Sequence, residues 1–239
     1  MASTVPGTVT DPTSRRGPSA VELGIIPAKP RWRGRLHRAA FLTALGLAPG
    51  LVAAAGSVTA RVAVGVYALC LMGLFGISAL FHCVDWGPSA HARMRRLDHS
   101  MIFVFIAGTY TPIAVLTVES PARELMIVAV WVAAVLGVAV QVLWIDAPRR
   151  LTAGLYVAVG WIAVAALPAM IRGLGPVGFA LVLAGGLTYT AGAVVYARKR
   201  PDPVPDVFGF HEVFHALVIL AACFHLAVVV FFALPRGVG

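Results

Sequence analysis

Seven apolar runs, each long enough to cross a lipid bilayer, are separated by short polar breaks. They fall at residues 39–56, 62–82, 97–118, 125–145, 151–171, 174–197 and 208–234. A hydrocarbon layer of ~30 Å is crossed by about 20 consecutive apolar residues in helical form. The pattern therefore predicts an all-α polytopic membrane protein, a bundle of seven transmembrane helices. Only Arg172 and Gly173 separate the fifth and sixth runs, so these two should pair as an antiparallel hairpin. Pro49, Pro112 and Pro168 lie inside runs, where neighbouring helices tolerate proline and the resulting kinks. Residues 1–28 are rich in Ser, Thr, Pro and Gly and lack helical periodicity. They read as a disordered tail, followed by one helical domain at residues 29–239.

Composition agrees. Of 239 residues, 59% are apolar and 12% charged, against about 25% charged in soluble domains, and this excludes a water-soluble fold. The net charge of +9 is parcelled into short loops between spans and makes no nucleic-acid footprint. It sets the orientation instead. Fifteen basic residues fall on the side of the N-terminus: Arg15, Arg16 and the collar Lys29, Arg31, Arg33, Arg35 and Arg38; Arg93, Arg95 and Arg96; Arg149 and Arg150; Arg198, Lys199 and Arg200. The other side has four, Arg61, Arg123, Arg172 and Arg236. Cytoplasmic loops hold the excess of Lys and Arg, so the N-terminus is expected inside, the C-terminus outside, and the protein in the plasma membrane. Arg15–Arg16 is not followed directly by an apolar core or a cleavage site, which argues against an export signal. Cys70, Cys83 and Cys223 lack the spacing of a thiolate metal site and read as small hydrophobes.

This orientation gathers the polar residues of the spans. The second run ends on the inside at His82, the third starts there at Asp98, and the seventh starts there with His211 and His215. The last two are four apart and share one helical face. Ser78 lies one turn deeper on the face of His82. Three imidazoles with a fourth position open to water form a hydrolytic type of Zn²⁺ site, with Asp98 placed to hold the water or orient a ligand ring. The alternative, three histidines each capping a helix or bonding a loop carbonyl, is less favoured for three rings converging at one depth beside an acid. His82, His211 and His215 are thus the candidate metal ligands; Asp98 and Ser78 are the candidate catalytic residues.

His211-Glu212-Val213-Phe214-His215 also spells H-E-x-x-H, the zinc-protease signature in which the Glu is the general base. No acidic third partner follows it. Glu212 lies about 100° around the helix from His211, so it is expected to face headgroups or a basic loop. The remaining histidines read as structural: His37 as a cytoplasmic interfacial group, His91 as solvated in a basic loop, and His99 as a helix–helix hydrogen bond. His225, ~15 Å deeper than His215 by helical rise, reads as a buried polar contact between spans.

The segments Ser78-Ala-Leu-Phe-His82, Leu97-Asp98-His99-Ser100 running on to Ala107-Gly108-Thr109-Tyr110-Thr111-Pro112, and His211-Glu-Val-Phe-His215 resemble the haemolysin III branch of the progestin and adipoQ receptor superfamily, which includes the adiponectin receptors. The entry segment from Lys29 to His37 resembles that of bacterial members. The resemblance implies a seven-helix fold with an inside N-terminus and Zn²⁺ held at the positions of His82, His211 and His215, with Ser78 and Asp98 close by. It also implies a role with membrane lipids: a lipid-amide (ceramidase-like) hydrolase, a non-catalytic sensor of membrane state with structural zinc, or a haemolytic pore. Absence of a polar stripe through several spans makes the pore the weakest of these. The chain lacks any large domain beyond the spans, and hormone binding has no support in it.

Overall fold

A computed structural model describes residues 19, 21–24, 29–144 and 146–238. The expected disordered tail, apart from Ser19 and residues 21–24, and Ile145 of the fourth run lie outside the described residues. Among the described residues all regular elements are helical: α1 Arg35–Ala53, α2 Val58–Cys83, α3 Pro88–Thr117, α4 Ala122–Leu143, α5 Arg149–Gly160, a 3₁₀ turn Ile162–Ala166, α6 Leu167–Arg198 and α7 Phe210–Val228. A π-turn Val229–Ala233 and a 3₁₀ turn Leu234–Val238 continue α7.

Local chemistry sets these boundaries. The Ser57 hydroxyl accepts from the Ala60 N–H at the start of α2, satisfying a donor that the helix leaves free. Gly87 caps α3 and Pro88 opens it, where the missing proline N–H costs nothing. This helix therefore starts nine residues before the apolar run at residue 97. Its first turns carry Arg93, Arg95 and Arg96, and arginine is a good helix former. Hydropathy registers the lipid-facing part of the helix only. His91, expected in a solvated loop, is instead in the first turns of α3, half-buried, with its ring 5.1 Å from that of Phe81.

Among the described residues six helices are long and apolar enough to cross a membrane, with residues 149–198 counted as one of them. That stretch is folded back on itself. Gly175 has φ +71° and ψ 174°, a conformation open to glycine and costly for other residues, and Pro176 starts the helical arm after it. The Trp161 indole N–H donates to the Thr190 hydroxyl at 3.0 Å, and these two residues are almost equidistant in sequence from Gly175. The two arms thus lie side by side, with the reversal two residues beyond the expected Arg172–Gly173. Pro168, expected inside a run, opens α6.

The core joins α2 and α3 at the centre to α1, α4 and α7. Val64, Tyr67, Phe103, Ala107, Ala114 and Val228 are almost inaccessible. Outward-facing side chains are also apolar, among them Leu42, Leu69, Leu125, Leu143, Leu187 and Phe231. A belt of this kind would be an aggregation surface in water and is the expected face of a helix in lipid.

Candidate metal centre

The C-terminal end of α2, the N-terminal third of α3 and the first turns of α7 meet at one end of the bundle. There the ligand atoms of His82, His211 and His215 all lie within 4.8 Å of one another. His82 Nε2 and His211 Nε2 face each other at 3.3 Å. Tetrahedral zinc with bonds of ~2.0–2.1 Å holds its ligands about 3.3–3.4 Å apart, so this separation suits two nitrogens on one ion. The rings of His82 and His215 are 5.0 Å apart, and those of His211 and His215 4.5 Å. The donor set, three neutral imidazoles, fits zinc and other borderline transition metals better than Ca²⁺ or Mg²⁺.

Asp98 is buried, and its Oδ2 is 3.9 Å from His82 Nε2. Ser78, also buried, neighbours the Asp98 carboxylate. All five residues expected at the site are therefore brought together. His99, expected in a helix–helix hydrogen bond, is a neighbour of buried Gln141 on α4. His225 bonds the Val182 carbonyl through Nε2 at 3.3 Å, the polar contact between helices that its depth suggested.

Glu212 faces the basic segment before α1, one of the two placements expected for it, but it is buried there: it is 1% exposed, and one carboxylate oxygen accepts from Arg33 Nε. The other accepts from the Gly209 N–H at 2.9 Å. Both oxygens are engaged in an ion pair and a helix cap, so the H-E-x-x-H spelling has no free general base here.

Three further residues complete the site. His37, expected at an interface, is 3% exposed and stacks on His215 with ring centroids 3.8 Å apart and planes 10° from parallel. Arg33 and Gly34 belong to a strap, residues 29–34, laid over the same end of the bundle. Arg31 and Trp32 donate their backbone N–H groups to the carbonyls of Asp206 and Val207. Lys29 reaches across to the Val84 carbonyl and the Asp85 carboxylate. Gly34 has φ +78°, and a Cβ there would come within 2.8 Å of His82 Cβ and Cys83 Sγ. A residue with a side chain would push the strap off His82. The one signal of this in the sequence is a glycine between basic residues just before a span.

The model of the haemolysin-III related family matches residues 27–226. This chain belongs to that family. The matched segment starts just before the strap and contains all five helix-borne site residues. Haemolysin III relatives include Hemolysin-3 of Bacillus cereus, 29% identical over 76% of this chain and 80% of the relative's length. The Hemolysin-3 homolog of Bacillus subtilis (strain 168) is 26% identical over 69% and 74%, respectively. The human monocyte to macrophage differentiation factor is 26% identical over 69% of this chain and 68% of its own length. Family and helices together make this a multi-pass membrane protein.

Proposed function

We propose that this protein is a zinc-dependent hydrolase of lipid amides, acting from the cytoplasmic leaflet of the plasma membrane in membrane-lipid homeostasis. The observation that carries the reading is the convergence of His82, His211 and His215 with a carboxylate, Asp98, 3.9 Å from one of them. A divalent cation held by the three imidazoles supplies Lewis-acid activation of water and of a carbonyl. Asp98 accepts the proton of the attacking water and returns it to the leaving amine. Ser78 orients that carboxylate. The apolar cavity beyond Phe214, between α3, α5, α6 and α7, offers the substrate chain a dry place next to the chemistry.

The N-inside orientation and seven crossings are part of this proposal. They are supported by the reversal at Gly175 and by the distribution of arginines. Arg33, Arg95 and Arg149 stand at the triad end, while Arg123, Arg172 and Arg236 share a cleft beside Thr117 at the other.

The strap favours a second reading. It packs directly on His82, and a covered ion suits a structural role in a sensor of membrane state. Measuring the metal content of purified protein, together with ceramide and acyl-amide turnover, separates the two. Catalysis predicts about one zinc per chain in the wild type, loss of zinc in His82→Ala, and retained zinc with lost turnover in Asp98→Ala. Zinc without turnover of any amide in the wild type leaves the sensor; no metal in the wild type sinks both. A lytic pore finds no support in a cavity whose walls are almost wholly apolar.

A further inference from the structure

Cytoplasmic loops hold most of the Lys and Arg of a membrane protein, so arginines gathered at the opposite end of a bundle need a reason to be there. Four lie at the end away from the histidine triad: Arg61, Arg123, Arg172 and Arg236. One of them serves the fold, since Arg61 Nε donates to the Ala55 carbonyl at 3.1 Å. The other three line a single cleft of about 460 Å³ against the last residues of α3. One water occupies ~30 Å³ of liquid, so the cleft has ample room for a small polyatomic anion.

Three separate segments carry these charges to the same helix end. Arg123 stands in the first turn of α4, one short loop beyond Thr117. Arg172 is placed by its neighbour Gly173, which packs so closely on the Thr117 carbonyl that no side chain fits there. Arg236 is placed by Gly237, where a Cβ would come within 2.9 Å of Ala60 Cβ and 3.2 Å of Leu116 Cδ2.

The protein answers this charge only in part. Arg123 donates from Nε and one terminal nitrogen to Glu124, and Arg236 gives one N–H to the Phe232 carbonyl at 2.6 Å. Among the described residues Arg172 has no ion pair or hydrogen bond, and Glu119, the acid in the cleft wall, pairs with none of the three. The free carbonyls at a helix C-terminus amount to about half a negative charge. Together with Glu119 and Glu124 they still fall short of three guanidiniums. Each guanidinium offers five N–H donors in a planar fork, so most of the donors here are unspent.

We propose that this cleft binds one phosphoryl group, carried by an anionic phospholipid headgroup or by free phosphate. Arg172 and Arg236 each direct a fork at its oxygens, and Arg123 adds charge from the wall. Arginine forks pair with phosphate oxygens two at a time, and a phosphoryl group has enough oxygens for two forks where a carboxylate serves one. Val115 and Leu116 in the wall give an apolar flank for the chains of a lipid. The site needs neither metal nor turnover and stands apart from the function proposed above.

The test is arginine footprinting with phenylglyoxal on the full chain in dodecyl maltoside and phosphate-free buffer, each arginine followed by peptide mass spectrometry. Dioleoyl phosphatidylglycerol, inorganic phosphate and dioleoylglycerol, which has the same chains and no phosphate, are added separately. Charge-assisted bonds to both forks should slow modification of Arg172 and Arg236 about fivefold with phosphatidylglycerol or with phosphate. Arg61, at the same end but outside the cleft, should react at an unchanged rate. Protection by inorganic phosphate identifies a site for the free anion; protection by phosphatidylglycerol alone identifies a headgroup site. Arg172→Gln changes an exposed side chain without a partner, so the variant should fold, and it should abolish protection of Arg236, because the two hold one ligand. No protection by either phosphate, equal protection by dioleoylglycerol, equal protection of Arg61, or protection of Arg236 that survives Arg172→Gln would overturn the assignment.

Discussion

The imidazole of His37 lies flat on that of His215, 3.8 Å between centroids, so the first helix supports a candidate metal ligand on the last. The edge of Phe75, 5.1 Å from His37, holds the other side. Supports of this kind fix a ligand ring in its binding pose, and their loss typically lowers metal affinity about 10–100-fold. His37→Ala should therefore weaken zinc retention about tenfold in competition with a chromophoric chelator. His37→Phe keeps a flat ring against His215 and should stay near wild type. Equal weakening in both would mean that a His37 nitrogen, not its face, matters to the metal.

Glu212 and Arg33 form a pair in which the acid is almost completely buried. Removing one partner of such a pair leaves an uncompensated charge, at a cost on the order of 3 kcal/mol. Arg33→Met should lower the unfolding midpoint markedly in detergent. Adding Glu212→Gln should recover much of the loss, because the amide still accepts from the Gly209 N–H and carries no charge. The double variant should bind zinc. A zinc protease-like role for Glu212 instead requires that Glu212→Gln alone abolish turnover with stability intact.

Gly34 makes the same argument from sterics. A Cβ at φ +78° costs about 1–2 kcal/mol of backbone strain, and here it also meets His82 Cβ at 2.8 Å. Gly34→Ala should lower thermal stability and, by shifting His82, loosen zinc more than a distant substitution of equal destabilisation. The comparison is Gly175→Ala, at least as strained at φ +71° and ψ 174° and with no atom within 4 Å of its Cβ. Equal zinc affinity in the two variants would dissociate the strap from the metal site.

Those residues mark the edge of what the sequence discloses. His82, Asp98, His211 and His215 were legible because each ends or begins an apolar run and the alternation of runs carries all four to one end. Ser78 followed from its spacing to His82. His37 offered no such handle, since its burial depends on how α1 leans against α7, a contact without periodicity. Glu212 was placed on the correct side of α7 relative to His211, but its partner came from a strap with no regular structure. The early start of α3 was hidden because arginines that continue a helix leave the hydrophobic run. The reversal at Gly175 was read two residues early from the charge of Arg172, whereas the glycine–proline step holds the break.

Topology offers the last test, because the reversal decides between an odd and an even number of crossings. With one crossing for residues 149–198 the chain spans six times, and both ends of the helical domain lie on one side. With a crossing for each arm it spans seven times, and they lie on opposite sides. Fifteen basic residues on one side against four on the other suit the second arrangement, since six crossings would leave Arg236 and the N-terminal collar together and move the α6–α7 loop, with Arg198, Lys199 and Arg200, across. Six crossings would also set α7's histidines at the other end from His82, whereas His82 and His211 stand 3.3 Å apart. A reporter enzyme active only outside the cytoplasm, fused after Arg236, should therefore be active, and green fluorescent protein at the same point dark. The same pair fused after Arg200 should give the opposite result; the reversed pattern, with the enzyme active after Arg200 and green fluorescent protein bright after Arg236, is what six crossings require and would refute a seven-span bundle.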